Sequence, residues 1–416
     1  MQPYQLSVFL IVATAFATAQ SPPPAPTQLQ QQVWQMQDSG TTAGLRGIDS
    51  VDGTIAWASG SEGTVLRTID GGAHWQMCTV TDAAKDGATL DYRGVQAWDA
   101  TTAIVMASGP GEKSRLYKTT DGCKTWTLLQ RNTCPDGFYD TIAFWDRNHG
   151  LLVGDPVRPQ SAEFCTSEAI SRENVPQAQA PRLTGLLTDD AGANWANGSA
   201  EKSSRLSLGS LGGAAFAASN TSAYIAREVS FDTSGHEYKT VLAWIGIGGK
   251  GGARVFLGFA NDADLAPSEM HWSKPIRVPM VARTDSSGVF SLAFRLQQNS
   301  NSKIDFTGDR YYNGIAVGGD YTKPNGSAGT AAWSTDGGKT WTASTTPPHG
   351  YRSTVQWSEP LKLWITAGTN GSDISRDDGR TWQPLDNGNW NALSLPFIVG
   401  PKGRIARLSS KALVER

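Results

Sequence analysis

Three arginines of this 416-residue chain combine residue type and position in a way that favours recognition chemistry. They are Arg46, Arg93 and Arg352, and each stands where a β-rich run begins. A guanidinium donates paired, charge-assisted hydrogen bonds to a carboxylate. Arginines that converge on one opening would therefore bind an acidic peptide segment or a terminal carboxylate. This predicts a binding site, provided that the fold brings the three residues together.

Three aspartates offer a second chemistry. Asp140, Asp155 and Asp320 lie at the ends of β-rich runs, and Tyr321 follows the last of them. In a binding site these residues would line the same opening as the arginines. Alternatively, two of the aspartates would serve a glycan-active hydrolase or lyase as general acid and as base or nucleophile. That requires carboxyl groups about 5–5.5 or 6.5–9.5 Å apart, flanking one bond.

A recurring octet, (Ser/Thr)-x-Asp-x-Gly-x-x-Trp, indicates which elements position these residues. Its aspartate accepts hydrogen bonds from the following backbone N–H groups, its glycine supplies a positive φ, and its tryptophan buries apolar area between sheets. Cys123 replaces the glycine in the second copy, which predicts a turn that is relaxed or held by another bond. The aspartate and tryptophan of the five copies are Asp70 and Trp75, Asp121 and Trp126, Asp190 and Trp195, Asp336 and Trp341, and Asp377 and Trp382.

The spacing of the octets predicts the fold. Successive octet aspartates are 51, 69, 146 and 41 residues apart by subtraction, whereas one four-stranded propeller blade takes about 40–50 residues. The interval of 69 predicts a blade with an insertion. The interval of 146 contains a further unit, in which Trp272 stands in the place of the octet tryptophan.

The two ends of the chain supply the last unit. Three strand-like runs lie between Trp390 and Leu408, and the segment 33–37 supplies the missing fourth strand. Pairing them would close the ring and remove two exposed sheet edges. We therefore predict an all-β fold, a seven-bladed β-propeller of four-stranded blades, closed by an N-terminal strand that joins the C-terminal blade.

Propeller geometry places the candidate site at one mouth of the central channel. Each innermost strand starts at this mouth, the loops between second and third strands surround it, and the octet turns lie on the opposite face. The predicted strand starts are Arg46, Arg93, Asp140, Phe290, Arg352 and Asn391, and the loops add Asp155, Asp320, Tyr321, Lys323 and Glu112.

Composition argues against several function classes. With 45 glycines, 15 tryptophans and only 18% charged residues, the chain fits a turn-rich all-β protein. A net charge of −2 and the lack of a Lys/Arg stripe argue against a nucleic-acid partner. Scattered histidines, the absence of CxxC and CxxCH motifs, and the absence of a GxGxxG that follows a strand and opens a helix predict no metal and no cofactor, and they argue against an oxidoreductase.

The first 32 residues predict export. Residues 1–19 resemble a signal peptide, with an apolar run from Leu6 to Ala17 and a small-x-small cleavage site, although the first segment lacks Lys and Arg. Residues 20–32 form a Pro/Gln-rich tether, and residues 33–416 form the propeller. We expect a periplasmic or extracellular protein that contacts a membrane only through a partner.

Export permits disulfides, and four cysteines allow three pairings. Cys78 and Cys123 fall on the outer parts of adjacent units, whereas Cys134 and Cys165 both belong to the third unit. The pairs Cys78–Cys123 and Cys134–Cys165 are therefore favoured, with free or buried thiols as the alternative.

The octet resembles the Asp-box of sialidases and sortilin-type receptors. A broader resemblance, carried by YRGVQAWD, FYDTIAFWDRNHGLLVGDPV and GIAVGGDYTKP, is to the plant and cyanobacterial photosystem II stability/assembly factors and their bacterial relatives. It implies an exported, seven-bladed scaffold that binds a newly made membrane protein through an arginine-rich face.

Sialidase activity is not expected, because the nearest Arg-Ile-Pro-like string, IRVP (Ile276–Pro279), lies in mid-chain rather than before the first octet.

Overall fold

The computed structural model describes residues 33–80, 86–157, 182–197, 212–231, 234–261, 270–281, 283–297, 312–409 and 413. Within them the chain forms seven antiparallel sheets arranged as the blades of a propeller, as the sequence predicts. The predicted signal peptide and tether, and Cys165, lie outside the described residues. In the described part of the chain, no helix is long and apolar enough to span a membrane.

The first three blades follow one another along the chain, each with its first strand innermost. Blade 1 contains β2 (Leu45–Ser50), β3 (Ala56–Gly60), β4 (Val65–Thr68) and β5 (Gln76–Cys78). Blade 2 contains β6 (Tyr92–Ala97), β7 (Ala103–Ala107), β8 (Arg115–Thr119) and β9 (Thr127–Arg131). Blade 3 contains β10 (Tyr139–Phe144), β11 (Gly150–Val157), β12 (Arg182–Thr188) and β13 (Ala196–Asn197). Short 3₁₀ helices cover Gly87–Thr89 and Gly111–Lys113.

The remaining blades complete the ring. Blade 4 contains β14 (Ala223–Phe231), β15 (Glu237–Ile247), β16 (Arg254–Asn261) and β17 (His271–Trp272), with β18 (Ile276–Arg277) also pairing with β16. Blade 5 contains β19 (Ser287–Leu296), β20 (Tyr312–Asp320), β21 (Ala331–Ser334) and β22 (Thr342–Ala343). Blade 6 contains β23 (Thr354–Ser358), β24 (Leu363–Gly368), β25 (Gly371–Ser375) and β26 (Gln383–Asp386). Blade 7 contains β27 (Ala392–Ser394), β28 (Phe397–Val399), β29 (Ile405–Leu408) and the N-terminal β1 (Trp34–Gln37).

Closure of the ring depends on β1. It pairs antiparallel with β29, from Trp34 opposite Leu408 to Gln37 opposite Ile405. Trp34 is 4% exposed, and its indole N–H donates to the Ser372 hydroxyl of blade 6 at 3.1 Å. The closing strand is therefore tied to two blades, and the predicted closure is confirmed.

The octet turns share one hydrogen-bond pattern. In the first copy, the Gly72 N–H donates to the Thr68 hydroxyl at 2.9 Å, that hydroxyl donates to Asp70 at 2.9 Å, and the His74 N–H donates to the same carboxylate at 3.0 Å. Because these donors favour the charged form, they hold the pKa of Asp70 at about 2. The aspartate thus organises the turn and is not a free acid.

Cys123 adopts the backbone conformation that glycine supplies in the other copies. Its φ is +67°, and it forms a disulfide with Cys78 of the neighbouring blade. The turn is therefore held by another bond rather than relaxed, and the predicted Cys78–Cys123 pair is confirmed. Cys134 is not a free thiol, but its predicted pairing with Cys165 lies outside the described residues.

The junction between blades 1 and 2 also contains a buried carboxyl group. Asp49 of β2 accepts hydrogen bonds from the Ala97 N–H at 2.7 Å and from the Gln96 side-chain amide at 3.1 Å. Loss of hydration raises the pKa of Asp49 to about 6, although the Ala97 hydrogen bond opposes that rise. Ionisation of Asp49 is therefore linked to the stability of this junction.

We predict that Trp126→Ala lowers the free energy of unfolding by about 3–5 kcal/mol, as large-to-small core changes do. Trp126 is 5% exposed and packs edge-on against Trp57 at 6.3 Å. Trp341 is only half-buried, so Trp341→Ala is the matched control with a smaller loss. Urea unfolding of both variants measures the difference, and equal losses would contradict burial as the cause.

A second prediction concerns pH. The pKa of Asp49 is higher in the folded protein than in the unfolded chain. Between about pH 4 and 6, Asp49 is therefore protonated in the folded state and ionised in the unfolded state. The free energy of unfolding should fall by about 1–3 kcal/mol as pH rises through this range. Asp49→Asn should remove this part of the decline, as measured by denaturant unfolding at pH 4.5 and 7. An unchanged pH slope in the variant would refute the assignment.

Candidate functional site

The first strands of four blades enter the sheet through a β-bulge. The strand register shifts between Leu45 and Gly47, Tyr92 and Gly94, Tyr139 and Thr141, and Val289 and Ser291. The extra residues are Arg46, Arg93, Asp140 and Phe290. A bulged residue is unpaired in the ladder, which re-aims its side chain. The structure thus places these four residues at equivalent points of their blades, at the channel mouth.

Arg46 and Arg93 meet at a shared carboxylate. The Arg93 Nε atom donates to Asp91 at 2.8 Å, and the Arg46 Nε atom lies 3.7 Å from the other oxygen of the same side chain. Arg93 also donates to the Ala217 carbonyl at 3.3 Å. The two side chains are 39% and 30% exposed, respectively, although the Arg46 Nε atom itself is buried against Asp91. Two positive charges therefore face one acid at the mouth.

Arg352 does not join them. Its side chain is fully buried and forms an ion pair with buried Asp373 of β25. Its guanidinium also donates to the Tyr351 carbonyl at 2.7 Å and to the Asn370 side chain at 2.6 Å. The structure brings two of the three predicted arginines together, whereas Arg352 lies within blade 6 with its donors directed to its own blade.

Asp140 and Asp155 lie side by side at the mouth. Asp140 occupies the β10 bulge opposite the end of β11 that contains Asp155, since Tyr139 pairs with Gly154. Asp140 is 2% exposed, and one oxygen of each carboxyl group has no hydrogen-bond partner within the described part of the chain. Burial and repulsion from Asp155 raise the pKa of Asp140, against the opposing effect of Arg93. Burial raises the pKa of Asp155 to about 6.

Asp320 is held in a turn of its own. It accepts hydrogen bonds from the Thr322 hydroxyl at 2.6 Å and the Ser286 hydroxyl at 2.7 Å, and these hold its pKa below the usual range. Lys323 lies 3.9 Å from the same carboxylate. Asp320 is thus the cap of the turn at the end of β20, and it is 8% exposed.

Aromatic rings line the mouth beside the arginines. Phe290 stacks on Phe216 at 3.9 Å and makes edge contacts with Tyr351 at 4.9 Å and Tyr321 at 6.1 Å. Tyr321 is 53% exposed. The predicted residue Tyr321 therefore presents an accessible ring at the mouth.

A segment that precedes blade 4, residues 212–222, closes the channel beneath this site. The Asn220 side chain accepts from the Ile142 N–H of blade 3 at 2.8 Å and donates to the Val95 carbonyl of blade 2 at 3.4 Å. The Ser219 hydroxyl donates to the Ser353 carbonyl at the start of blade 6 at 2.6 Å. A short segment can reach the inner edges of several blades only if it lies on the axis of the central channel. Residues 212–222 therefore form the floor of the mouth.

Sequence reasoning missed two parts of the site. The acid Asp91 stands two residues before Arg93, a spacing that places both at one strand entry. Phe216 and Ala217 belong to an apolar run that resembles an ordinary strand, and nothing local in that run indicates that it crosses the channel. Glu112 lies in the loop between β7 and β8, where the sequence placed it, and forms an ion pair with Arg131 at 3.1 Å.

The geometry favours binding over hydrolysis. Hydrolysis of a glycan requires two carboxyl groups that reach the substrate from opposite sides of one bond. Asp140 is buried, and Asp320 is occupied by its turn. The accessible polar side chains at the mouth include Arg46, Arg93, Tyr321 and Lys323, whose chemistry suits ligand binding rather than bond cleavage.

Seven four-stranded blades with octet turns define a propeller of the Asp-box class. The BNR/Asp-box repeat family model matches residues 332–343, which contain the fourth octet. The fold is also that of YCF48. A structure described as YCF48 bound to D1 peptide is 16% identical, with a TM-score of 0.50 and coverage of 91% of this chain and 97% of that one. YCF48 from Cyanidioschyzon merolae is likewise 16% identical, with a TM-score of 0.51 and coverage of 91% and 99%.

A curated relative matches only a short stretch. An uncharacterized human protein encoded by LINC00311 is 42% identical over 41 residues, which is 10% of this chain. The chain spans about a third (34%) of the length of that relative. The match carries no information on function.

We predict that Arg352 stabilises the fold, in contrast to Arg46. Arg352→Met removes the guanidinium from buried Asp373, which then keeps only its contacts with His349, and should cost about 3–5 kcal/mol. Arg352→Met/Asp373→Asn should recover part of that loss, because the remaining charge is removed. Arg46→Met, a surface change, should cost less than about 0.5 kcal/mol. Thermal unfolding compares the three variants, and a near-neutral Arg352→Met would return Arg352 to the list of ligand-binding candidates.

Proposed function

We propose that this protein is a non-enzymatic binding scaffold that holds an acidic segment of a partner protein at the channel mouth. The observation that carries the proposal is the Arg46–Arg93 pair. The two guanidiniums are partly exposed and share the single carboxylate of Asp91. A carboxylate of a partner would add a second negative charge beside the two positive ones.

The surroundings of the pair suit a peptide better than a small ion. The exposed ring of Tyr321, which is in edge contact with buried Phe290, offers aromatic area at the mouth, and apolar contacts of this kind supplement charge pairs in peptide grooves. The floor formed by residues 212–222 gives the mouth a closed base. A segment would thus lie across the mouth rather than thread the channel.

Similarity in fold supports a role in assembly. YCF48 has been seen with a D1 peptide, and the sequence resembles the photosystem II stability/assembly factors. We propose that this chain is a relative of those factors and that its partner is a newly made membrane protein. Fold similarity at 16% identity leaves the identity of that partner to experiment.

We further propose that the protein works outside the cytoplasm. The apolar run of residues 6–17 has the length of a signal sequence, and the Cys78–Cys123 disulfide suits an oxidising compartment. Mass spectrometry of protein recovered from the host would test this by locating the mature N-terminus. Cleavage after Ala19 supports export, and an intact Met1 argues against it.

The binding proposal predicts that Arg46→Ala/Arg93→Ala weakens peptide binding at least about tenfold without loss of folding. The probes are a fluorescein-labelled D1 peptide and a capped hexaglutamate peptide, titrated by fluorescence anisotropy. Two lost charge-assisted contacts explain the expected loss. Binding should also weaken as salt rises, because the mouth is accessible to screening.

Arg131→Ala/Arg147→Ala is the matched control. These arginines are 41% and 60% exposed and lie on an outer strand and on a loop of the octet face. The control should bind both peptides as the wild type does. Equal weakening in both double variants would mean that binding follows overall charge, and the proposed site would then be wrong.

A further inference from the structure

The Asp140–Asp155 pair has no role in the binding described so far. Asp140 sits in the β10 bulge, and Asp155 lies opposite it at the end of β11. Each has one carboxyl oxygen, Oδ2 of Asp140 and Oδ1 of Asp155, that is buried and without a hydrogen-bond partner among the described residues. Two neighbouring buried carboxylates repel each other, so one proton held between them is favourable.

The adjoining elements act on this pair through one charged group and one backbone donor. Arg93 of β6 attracts the Asp140 charge, Asp155 repels it, and the Ala217 N–H donates to it. Arg93 is also bonded to Asp91, the acid shared with Arg46. The segment 212–222 has no titratable side chain. The pair therefore lies next to the proposed anion-binding arginine.

The charge of the mouth depends on the protonation of this pair. Arg46 and Arg93 contribute two positive charges, and Asp91 offsets one of them. With Asp140 and Asp155 neutral, the cluster carries a net charge of about +1, which attracts an acidic segment. With both ionised, the net charge is about −1, and Asp140 competes with the ligand for Arg93.

We propose that the Asp140–Asp155 carboxyl pair makes the mouth a proton-linked anion site, which binds an acidic segment with uptake of a proton and releases it as pH rises. This inference rests on the proposed function and specifies its regulation. Burial raises the pKa of Asp155 to about 6 and that of Asp140 above its usual range. A bound anion raises both pKa values further, because it adds negative charge beside the pair. By linkage, raised pKa values in the complex mean tighter binding at lower pH.

The test uses the whole propeller and a capped hexaglutamate peptide, whose side chains stay ionised above pH 5.5. Wild-type affinity, measured by anisotropy, should fall about tenfold or more between pH 5.5 and 7.5. Calorimetry in two buffers of different ionisation enthalpy should detect proton uptake on binding.

The double variant Asp140→Asn/Asp155→Asn should bind the peptide at pH 7.5 about as tightly as the wild type does at pH 5.5, and its affinity should depend little on pH. Asparagine keeps an acceptor for the Ala217 N–H, and a thermal melt checks that the variant is folded.

Asp49→Asn is the matched control, since it removes a carboxyl group of raised pKa at the junction between blades 1 and 2. It should keep the wild-type pH dependence of binding. Wild-type binding that ignores pH, or an Asp140→Asn/Asp155→Asn variant with the same pH slope, would overturn the inference while leaving the arginine site in place. Wild-type protein that binds no acidic peptide at any pH would overturn the proposed function, and the inference with it.

Discussion

The closure of the ring is the constraint on which the rest of the structure depends. Strand β1 supplies the outer edge of blade 7 through its pairing with β29, and Trp34 ties it to blade 6. Only in a closed ring do the innermost strands surround one axis, so that their entries meet at one mouth. The bulges at these entries then direct Arg46, Arg93, Asp140 and Phe290 to the same place. A site assembled from blades that are distant in sequence therefore follows from one strand pairing.

The octet turns serve this architecture from the opposite face. In each copy, the Ser or Thr hydroxyl and the aspartate both accept hydrogen bonds from backbone N–H groups of the turn, so the aspartate is engaged in organising that turn. The same turns direct their tryptophans between blades, as Trp126 illustrates by its contact with Trp57. The two faces of the propeller thus differ, since the octet face holds the turns that stabilise the blades and the mouth is where we propose that recognition takes place.

The sequence predicted the seven blades, the closure and the Cys78–Cys123 disulfide, because repeated turns and strand patterns are local signals. It also placed Arg46, Arg93 and Asp140 at equivalent strand entries. It could not predict that Arg352 is buried, since its partner Asp373 lies on β25, beyond β24 in the same blade, and no local pattern indicates that contact. Nor could it predict the floor of residues 212–222. That segment resembles an ordinary strand, and its place on the axis depends on contacts with blades 2, 3 and 6.

The central claim is that an acidic segment binds at the mouth through Arg46 and Arg93. Hydrogen–deuterium exchange with and without saturating acidic peptide tests it most directly, because it locates the bound surface without a substitution. Protection confined to the strand entries around residues 44–47, 91–94 and 138–141 and to the floor at 214–221 is the result expected here. Protection confined to the octet turns, or to the outer strands, would contradict the account.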